Sequence, residues 1–474
     1  MDNLKSTPLT VIGSGPAGLK AAQVAAEAGV EVTLIDENGK PGGQYYRQSP
    51  DEFQLKDISD RFSGRADAKN LFQGFPDEKI RTFYQTMVWG VFEEHNLALT
   101  DQEKSFLLPT ELVILATGAY DRPMAFPGWT LPGILGAGAA LRMIKSQWIL
   151  PGKKVLLAGL GPLQLALAEA LIKSGAEVVG IAEAANPYAN LGQIPKLWGH
   201  WDRIQEAVRY YDNLRKHKVP LFYKHTIIGA EGEEQVKRAT IAQLDHNGKP
   251  IHGTEKNFEV DAVCLGYGLL PSIQVASGFN CRLKFDTHAR WFVPSHDANM
   301  ETSQPGIYVA GDMTRIAGSK TALVEGEIAG LSAAFKLGAI DSAVFEERLK
   351  PLIVSLHKLN RLTDGLQHLY PYQSNLDQLI KDDTLICRCE EVTVLKVKEA
   401  IRNGATDINQ VKLATRAGMG YCQGRFCSVL IASLISEMCG TALSELQPFT
   451  IRPPFQPLPL NILAFNEEQR VKHS

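Results

Sequence analysis

The sequence predicts an α/β protein in which a Rossmann-like domain is interrupted by a second Rossmann-like domain and followed by a small, mostly helical domain. Two glycine-rich turns, near residues 13 and 159, each follow an apolar strand and precede a helix, and they predict the Rossmann-like pair. The third observation is that four of the seven cysteines form two close pairs between residues 387 and 427. With 474 residues, the chain has room for about three domains of ordinary size.

Composition and charge exclude several classes of protein. The apolar fraction of 45% is enough to fill hydrophobic cores, and a net charge of −3 without a long basic run gives no indication of nucleic-acid binding. No apolar run is long enough to span a membrane, and the first strand follows Met1 too closely to leave room for a signal peptide. Cys264, Cys281 and Cys439 are interpreted as buried, reduced core cysteines, so a cytoplasmic location is expected.

A complete dinucleotide-binding fingerprint opens the chain. An apolar strand ending at Ile12 leads into a G-x-G-x-x-G turn, then a helix through Ala28 and a second strand ending at Asp36. The first glycine permits the tight turn, the second lets the backbone approach a pyrophosphate, and the third lets helix and strand pack closely. The helix N-terminus supplies free N–H groups for the phosphates, and Asp36, or less favourably Glu37, can bind the ribose hydroxyls. The predicted cofactor-binding residues of this unit are Gly13, Gly15, Pro16, Ala17, Gly18, Asp36 and Glu37.

Later segments favour FAD over NAD as the ligand of this first fold, a choice that the fingerprint alone leaves open. Two buried strands, at residues 111–119 and 302–312, end in A-T-G and in G-D. Both resemble signatures of flavoproteins with two dinucleotide-binding domains, in which the G-D carboxylate binds the FAD ribityl chain. A small-residue helix over residues 321–334 would direct its N-terminus at the flavin pyrimidine ring, and a P-G-G-Q turn resembles one that passes near FAD. The predicted contacts are Gly42, Gly43, Gln44, Ala116, Thr117, Gly118, Gly311, Asp312 and Thr321.

The second dinucleotide fold departs from the fingerprint. A strand from Lys153 leads into Gly159-Leu-Gly161-Pro-Leu-Gln164, in which Gln164 replaces the third glycine, and a second strand ends at Glu183. A glutamine side chain needs space where helix and strand normally pack closely. No basic residue follows Glu183 to pair with a 2′-phosphate. The fold is predicted, but NAD(P)H binding to it is doubtful.

These motifs divide the chain into domains. The FAD-binding domain is predicted to comprise residues 1–123 and 273–340, with the NAD(P)-binding-like domain, residues 124–272, inserted between them. Residues 341–384 are predicted as a helical linker and 385–446 as the cysteine-containing domain. A proline-rich tail, residues 447–474, is expected to wrap either its own flavin domain or another protein of a complex. No C-x2-C or C-x4-C pair occurs before residue 387, which argues against a disulfide reductase.

The paired cysteines are candidate metal ligands. Thiolates are soft ligands that suit zinc or an iron–sulfur cluster. Zinc sites usually space their close pairs by two to four residues, whereas one residue separates the first pair of this chain. We expect a [2Fe–2S] cluster, because an electron carrier is the more sensible ligand beside a flavin, with zinc and unmetallated structural cysteines as the alternatives. The predicted ligands are Cys387, Cys389, Cys422 and Cys427.

On these motifs, nearly the whole chain resembles the FAD-containing α subunit of bacterial multi-subunit opine oxidase, hydrogen cyanide synthase and D-hydroxyproline or proline dehydrogenase. The cysteine region resembles the bacterioferritin-associated ferredoxin-like [2Fe–2S] domain, although its second pair is C-x4-C where that ferredoxin has C-x2-C. The resemblance implies a two-dinucleotide-binding-domain flavoprotein that relays electrons from FAD to a [2Fe–2S] cluster within a hetero-oligomeric amine or amino-acid dehydrogenase.

The resemblance also implies partners. In such complexes a separate flavoprotein subunit similar to D-amino-acid oxidase commonly oxidises the amine, and a small ferredoxin-like subunit can be present. Any membrane contact would be peripheral and made through the complex. Two other functions stay open: an NADH:acceptor oxidoreductase acting alone, and a non-enzymatic redox-sensing module. The sequence identifies no catalytic acid or base, and it does not decide between an opine, hydroxyproline and glycine as substrate.

Overall fold

The computed structural model describes residues 2–50, 52, 53, 71, 72, 78–372, 376 and 379–463. Parts of the predicted linker and of the predicted tail therefore lie outside the described residues.

The first sheet is built around the β-α-β unit that opens the chain. Its strands before residue 116 are β1 (Asp2–Asn3), β2 (Thr7–Ile12), β3 (Val32–Ile35), β4 (Ile80–Phe83), β5 (Met87–Phe92), β6 (Asn96–Thr100) and β7 (Ser105–Leu115). The strands β4, β3, β2 and β7 are parallel neighbours, and β6 and β5 continue the sheet as an antiparallel ribbon. β3 is buried along its whole length, as expected for a parallel strand covered on both faces. The helix α1 (Pro16–Glu27) connects β2 to β3.

The inserted domain has a parallel sheet of its own. Its elements are β8 (Ala119–Asp121), β9 (Ile134–Gly136), α2 (Ala137–Arg142), β10 (Lys154–Gly159), α3 (Pro162–Lys173), β11 (Glu177–Glu183), α4 (Trp201–Lys216), β12 (Leu221–Tyr223), β13 (His225–Glu231), β14 (Arg238–Gln243), β15 (Lys256–Glu259), β16 (Ala262–Gly266) and β17 (Leu269–Pro271). The parallel order is β12-β11-β10-β16-β9, and β13, β14 and β15 form an antiparallel sheet. β8 and β17 pair with each other where the chain enters and leaves this domain.

The chain then returns to the first sheet. The returning elements are α5 (Gln274–Gly278), β18 (Leu283–Asp286), β19 (Trp291–Pro294), β20 (Ile307–Val309), α6 (Ser319–Lys336) and α7 (Ser342–Leu369). β20 joins the sheet parallel to β7, and α6 packs so closely on α1 that a Cβ at Gly330 would lie 2.6 Å from the carbonyl oxygen of Ala21. The Asp341 side chain caps α7 by accepting a hydrogen bond from the Val344 amide.

The cysteine-containing domain is a short hairpin followed by helices. Its elements are β21 (Leu385–Cys387), β22 (Val392–Thr393), α8 (Val394–Arg402), α9 (Ile408–Thr415) and α10 (Cys427–Cys439), with α11 (Leu460–Leu463) in the tail. Thr393 caps α8 and Asp407 caps α9 through their side-chain oxygens. The hairpin was not predicted, because strands of two or three residues carry no detectable alternation.

The described part of the tail wraps the chain's own flavin domain, which was one of the two expected arrangements. Phe449 lies against Gly418 and Gly424 beside the cysteines. Farther along, the Phe455 amide donates to the carbonyl oxygen of Trp89 at 2.8 Å, and the buried Phe455 ring packs into the core beneath the first sheet. The tail therefore links the cysteine domain to the first domain.

The observed architecture confirms the predicted fold class, two Rossmann-like domains with a small, mostly helical domain. Within the residues that the structure describes, no helix is both long enough and apolar enough to cross a membrane.

Candidate cofactor sites

The first glycine turn leaves the N-terminus of α1 open. Gly15 is the N-cap residue and Pro16 the first helical residue, and no side chain caps the helix, so its N–H groups remain available to an anion. The nearest atom to a Cβ built on Gly15 is the Cα of Gly43, 4.0 Å away. A Cβ on Gly18, in contrast, would overlap the Gly13 carbonyl oxygen. Gly18 therefore serves packing, whereas Gly15 borders free space.

The two ribose candidates differ in the hydrogen-bonding capacity that they have left. Asp36 is buried, and its Oδ2 accepts from the backbone N–H and the hydroxyl of Ser14 at 2.6 and 2.7 Å. Its Oδ1 accepts from the backbone and side-chain nitrogens of Asn38, both at 2.8 Å. An ionised carboxylate has about four acceptor positions, so Asp36 is occupied in holding its own loop. Glu37 is exposed and makes no hydrogen bond within the described residues.

We therefore expect opposite effects from two substitutions. Asp36→Ala should lower the free energy of unfolding by about 2–3 kcal/mol, because it leaves the buried Ser14 donors unpaired. Glu37→Ala should change stability by less than about 0.5 kcal/mol but raise the dissociation constant of FAD up to about tenfold, the effect of one lost hydrogen bond of about 1.4 kcal/mol. Urea unfolding and FAD titration of the apoprotein measure the two quantities. Loss of FAD affinity with unchanged stability in Asp36→Ala would place the ribose contact on Asp36.

The flavin end of the site brings together segments that are distant in the chain. Gly311 lies close to α1, since a Cβ on it would be 3.0 Å from that of Ala17, and this contact places Asp312 beside the α1 N-terminus. Asp312 Oδ1 accepts from the amides of Ala317 and Gly318 at 3.2 Å each, and its Oδ2 makes no hydrogen bond within the described residues. Burial raises the pKa of this carboxyl.

Open space borders the two turns at this end of the site. No atom lies within 4 Å of a Cβ built on Gly118 or on Gly318, the uncapped N-cap residue of α6. Thr117 Oγ1 donates to the Ser272 carbonyl oxygen at 2.9 Å, which fixes the turn that ends in Gly118. The remaining predicted contacts lie along the same rim: Ala116 is buried at the end of β7, Gly42 donates its amide to the Ser14 carbonyl oxygen, Gln44 is exposed, and Thr321 is buried in the first turn of α6.

Two charged residues of this region escaped the sequence analysis. Arg47 donates from Nη1 to Asn38 Oδ1 at 3.1 Å, while its buried Nε and Nη2 have no partner within the described residues. Glu325 on α6 accepts from the Gly311 amide and the Thr314 hydroxyl at 2.8 Å each, and burial raises its pKa to about 7. The sequence signal for Glu325 was an acid among the small residues of that helix; Arg47 gave none. The free donors of Arg47, the uncapped helix N-termini and the open glycines fit a dinucleotide such as FAD.

The structure brings the four candidate cysteines into two pairs that cross the sequence pairs. Cys387 and Cys427, both buried, have their side chains within hydrogen-bonding distance, as do Cys389, which is exposed, and Cys422. They border a cavity of ≈ 230 Å³ lined by Cys387, Arg388, Cys389, Tyr421, Cys422, Phe426 and Cys427. In the described part of the chain no three ligand side chains are grouped tightly enough for a single metal ion. The cavity walls instead present one thiol pair deep inside and the other at the surface.

The surroundings of the inner pair stabilise a thiolate. The Cys427 thiol and the backbone N–H groups of Gly418, Glu390 and Cys389 lower the pKa of Cys387 to about 6, although burial opposes the shift. Cys427, the first residue of α10, has a pKa raised by its contact with Cys387 and by burial. The uncapped start of α10 adds N–H groups and positive potential. Thiolate ligation with N–H donors to the sulfurs is the environment in which iron–sulfur clusters are held.

The cysteine domain docks directly beside the flavin turn. Its apolar residues share one core with the inserted domain, and Trp129 Nε1 donates to the carbonyl oxygen of Leu385, at the start of β21, at 2.6 Å. Tyr120 lies in β8, two residues beyond Gly118, and the charges of Cys422 and Cys427 reach it. Two residues of extended backbone span about 7 Å. Tyr120 therefore connects the flavin turn to the cysteine cavity.

Fold and sites together define a two-domain flavin oxidoreductase joined to an iron–sulfur domain, and the comparisons with known proteins agree. Residues 7–338 match the family model of pyridine nucleotide-disulphide oxidoreductase, and residues 385–437 match the BFD-like [2Fe-2S] binding domain. The chain belongs to the pyridine nucleotide-disulphide oxidoreductase family, in a group with the larger flavin-containing chains of opine oxidase and hydrogen cyanide synthase. The matches confirm the predicted cofactors, FAD and a [2Fe–2S] cluster, while the individual contact residues stay predictions.

The relatives match along nearly the entire chain. The A subunit of opine oxidase from Rhizobium meliloti is 32% identical over 470 residues, covering 96% of this chain and 86% of its own. The HcnB subunit of hydrogen cyanide synthase from Pseudomonas protegens is 29% identical over 473 residues, covering 98% of each chain. Among solved structures, L-proline dehydrogenase from P. horikoshii superposes with a TM-score of 0.69 over 98% of this chain and 80% of that one, at 24% identity, which shows a shared fold. The predicted resemblance is thereby confirmed.

Proposed function

We propose that the chain is the FAD- and [2Fe–2S]-containing electron-transfer subunit of a multi-subunit dehydrogenase that oxidises an amine or amino acid. The observation that carries the proposal is the position of Tyr120, which touches the flavin turn at one end of β8 and the cysteine cavity at the other. Because the two sites are separated by little more than one side chain, electrons can pass between them within a single chain. The names of the relatives, opine oxidase and hydrogen cyanide synthase, support a substrate with a C–N bond to be oxidised.

The residues of the first site have separate tasks in this proposal. When bound, FAD supplies a two-electron acceptor that can pass electrons on to a one-electron carrier. Arg47 would pair with the pyrophosphate through Nε and Nη2, and Asp312 would accept from a ribityl hydroxyl through Oδ2. The N-terminus of α6 would favour negative charge on the flavin pyrimidine ring.

We propose that each cysteine pair seen in the structure holds one iron. Cys387 and Cys427 would hold the inner iron, and Cys389 and Cys422 the outer iron, since two thiolates complete each tetrahedron with two bridging sulfides. The outer pair is the more exposed, which makes it the side from which an acceptor protein would take electrons.

The amine itself is proposed to be oxidised on a second flavoprotein subunit. Within the described residues near the flavin turns, the cations that could clamp a substrate carboxylate already have partners: Arg315 pairs with Asp364, and Lys320 with Asp202. This pairing leaves the first site suited to receiving electrons more than to binding an amino acid. A small ferredoxin-like subunit is a further proposed partner. We place the complex in the cytoplasm, because all seven cysteines are free thiols and such thiols persist in reducing compartments.

The isolated chain is expected to oxidise opines, hydroxyproline, proline or glycine at less than about a hundredth of the rate of the complex. General acid–base groups typically contribute about 10²–10⁴-fold to such a rate, and the partner would supply them. The measurement is anaerobic flavin bleaching and dye reduction by each substrate, with the chain alone and with an amino-acid-oxidase-like partner. Full turnover by the chain alone would refute the division of labour.

A further inference from the structure

The carboxyl edge of the second parallel sheet is where an α/β domain of this kind would bind its nucleotide. The strands β10, β11 and β12 end side by side there, with Gly159 in register with Glu183 and Glu183 in register with Tyr223. The family of this chain is defined by pyridine-nucleotide enzymes, so NAD(P)H is the group expected at this edge. Four tyrosines of the chain itself lie there: Tyr188, Tyr211, Tyr223 and Tyr370.

The tyrosines form a connected group. The hydroxyls of Tyr211 and Tyr223 are 3.1 Å apart. Tyr370 is hydrogen-bonded to Tyr211, and Tyr188 to Tyr223, whose rings meet edge to face with centroids 5.3 Å apart. Burial and these neighbours raise the pKa of both Tyr370 and Tyr223. The group therefore stays uncharged and gives no positive charge to a phosphate.

Tyr370 fills the position that a pyrophosphate would need. The second glycine of the fingerprint is required because a Cβ there would point at the pyrophosphate. In this fold that glycine is Gly161, and a Cβ built on it would lie 3.5 Å from Cγ and 3.6 Å from Cβ of Tyr370. At the equivalent Gly15 of the first fold, the nearest atom is 4.0 Å away and belongs to a glycine backbone.

The other two elements of the fingerprint are also committed elsewhere. Gln164, in place of the third glycine, is 1% exposed and lies against Gly266, and its Oε1 and Nε2 have no partner within the described residues. The Glu183 carboxylate accepts from the amides of Gly161 and Ala185 at 2.8 and 2.9 Å. It therefore takes an N–H of the glycine turn that a pyrophosphate would otherwise use.

The linker beyond Tyr370 is held in the same way. Tyr372 lies between two guanidinium groups, with Cζ of Arg122 4.7 Å and Cζ of Arg290 5.6 Å from its ring centroid. Both tyrosines stand between the end of α7 and β21, which carries the first cysteine. Their contacts fix the path by which the chain reaches the cysteine domain.

We propose that the second dinucleotide fold takes no NAD(P)H, and that Tyr370 occupies its pyrophosphate position as an anchor for the linker to the cysteine domain. The residues present do not fit the nucleotide, since each point of the fingerprint is filled by the chain itself. The fold is retained as a platform: its carboxyl edge receives the end of α7. This inference does not depend on which amine the complex oxidises.

The test compares the full-length holoprotein with variants. Titration with NADH and NADPH, followed by nicotinamide fluorescence and anaerobic flavin bleaching, should show no binding by the wild type at millimolar nucleotide. The variant Tyr370→Ala, and more strongly Tyr370→Ala with Gln164→Gly, should bind at least tenfold more tightly than Tyr370→Phe. The phenylalanine variant is the matched control, because it keeps the ring against Gly161 and loses the hydrogen bond to Tyr211. FAD and iron content of each variant verify that it has folded.

A second readout concerns the anchor. Limited proteolysis between α7 and β21 should be at least tenfold faster in Tyr370→Ala than in Tyr370→Phe. Micromolar binding of NADH by the wild type would overturn the proposal, as would equal nucleotide affinity of the alanine and phenylalanine variants. Equal proteolysis rates in the two variants would overturn the anchoring role.

Discussion

Replacing Cys427 by serine is expected to remove the iron–sulfur cluster while FAD stays bound. Cys427 is buried at the first residue of α10, in contact with Cys387. A serine oxygen is a harder and shorter ligand than a thiolate, and the closed inner end of the cavity leaves little room for the cluster to shift toward it. The purified wild type should contain about two irons per chain, and the variant close to none, with an unchanged flavin spectrum. Metal analysis and EPR of the dithionite-reduced protein measure the loss.

The matched comparison uses the exposed pair and an uninvolved thiol. Cys389→Ser lies at the open side of the cavity, where water and movement can accommodate a changed ligand, so partial iron content with a shifted EPR spectrum is expected. Cys439→Ser, at the exposed far end of α10, should leave iron and spectrum unchanged. One zinc per chain with no EPR signal in the wild type would contradict the assignment and remove the second electron carrier from the mechanism.

The same variants test how the cysteines share the two irons. If each pair holds one iron, serine at Cys387 or at Cys427 perturbs one iron, and serine at Cys389 or at Cys422 perturbs the other. Mössbauer spectra of iron-enriched protein distinguish the two irons in the variants that retain enough cluster. Perturbation of the same iron by Cys387→Ser and Cys389→Ser would show that the sequence pairs, and not the spatial pairs, share an iron.

Local patterns explain why so much of the fold was predictable. The turn at Gly13, the helix caps Thr393 and Asp407, and the apolar strands each depend on residues a few positions apart, and the sequence displays them directly. The role of Gly15 likewise follows from one glycine in a fixed position. The sequence also indicated that Gln164 disturbs the second fold, because its side chain replaces a glycine of known purpose.

What the sequence could not provide are contacts between distant segments. The crossing of the cysteine pairs depends on how β21 meets α10, and the position of Tyr370 on Gly161 depends on where a helix of another domain ends. Nor could the sequence show that Asp36 is already saturated, since Ser14 and Asn38 are ordinary loop residues. Packing of small residues such as Gly311 on Ala17 assembled the flavin site from segments that no local pattern connects.

Replacing Gly15 by valine is expected to yield protein that folds but holds no FAD. Space exists for the new side chain in the protein itself, because the nearest atom to a Cβ on Gly15 is 4.0 Å away. That space borders the open N-terminus of α1, where the pyrophosphate would lie, so the valine methyl groups would occupy the position of the ligand. The flavin absorbance of the purified variant should fall to background, and circular dichroism and iron content should stay close to those of the wild type.

Gly18→Val is the matched control that separates ligand binding from packing. A Cβ on Gly18 would overlap the Gly13 carbonyl oxygen and lie 3.2 Å from the Cβ of Ala116. This substitution should therefore lower the free energy of unfolding by more than about 3 kcal/mol, because strand and helix cannot separate without opening the core. If Gly15→Val retained FAD, the α1 N-terminus would not be the pyrophosphate site; if it unfolded like Gly18→Val, the space beside Gly15 would be needed for the fold. The two glycines are three residues apart in one turn, yet only the first should decide whether the chain can accept electrons.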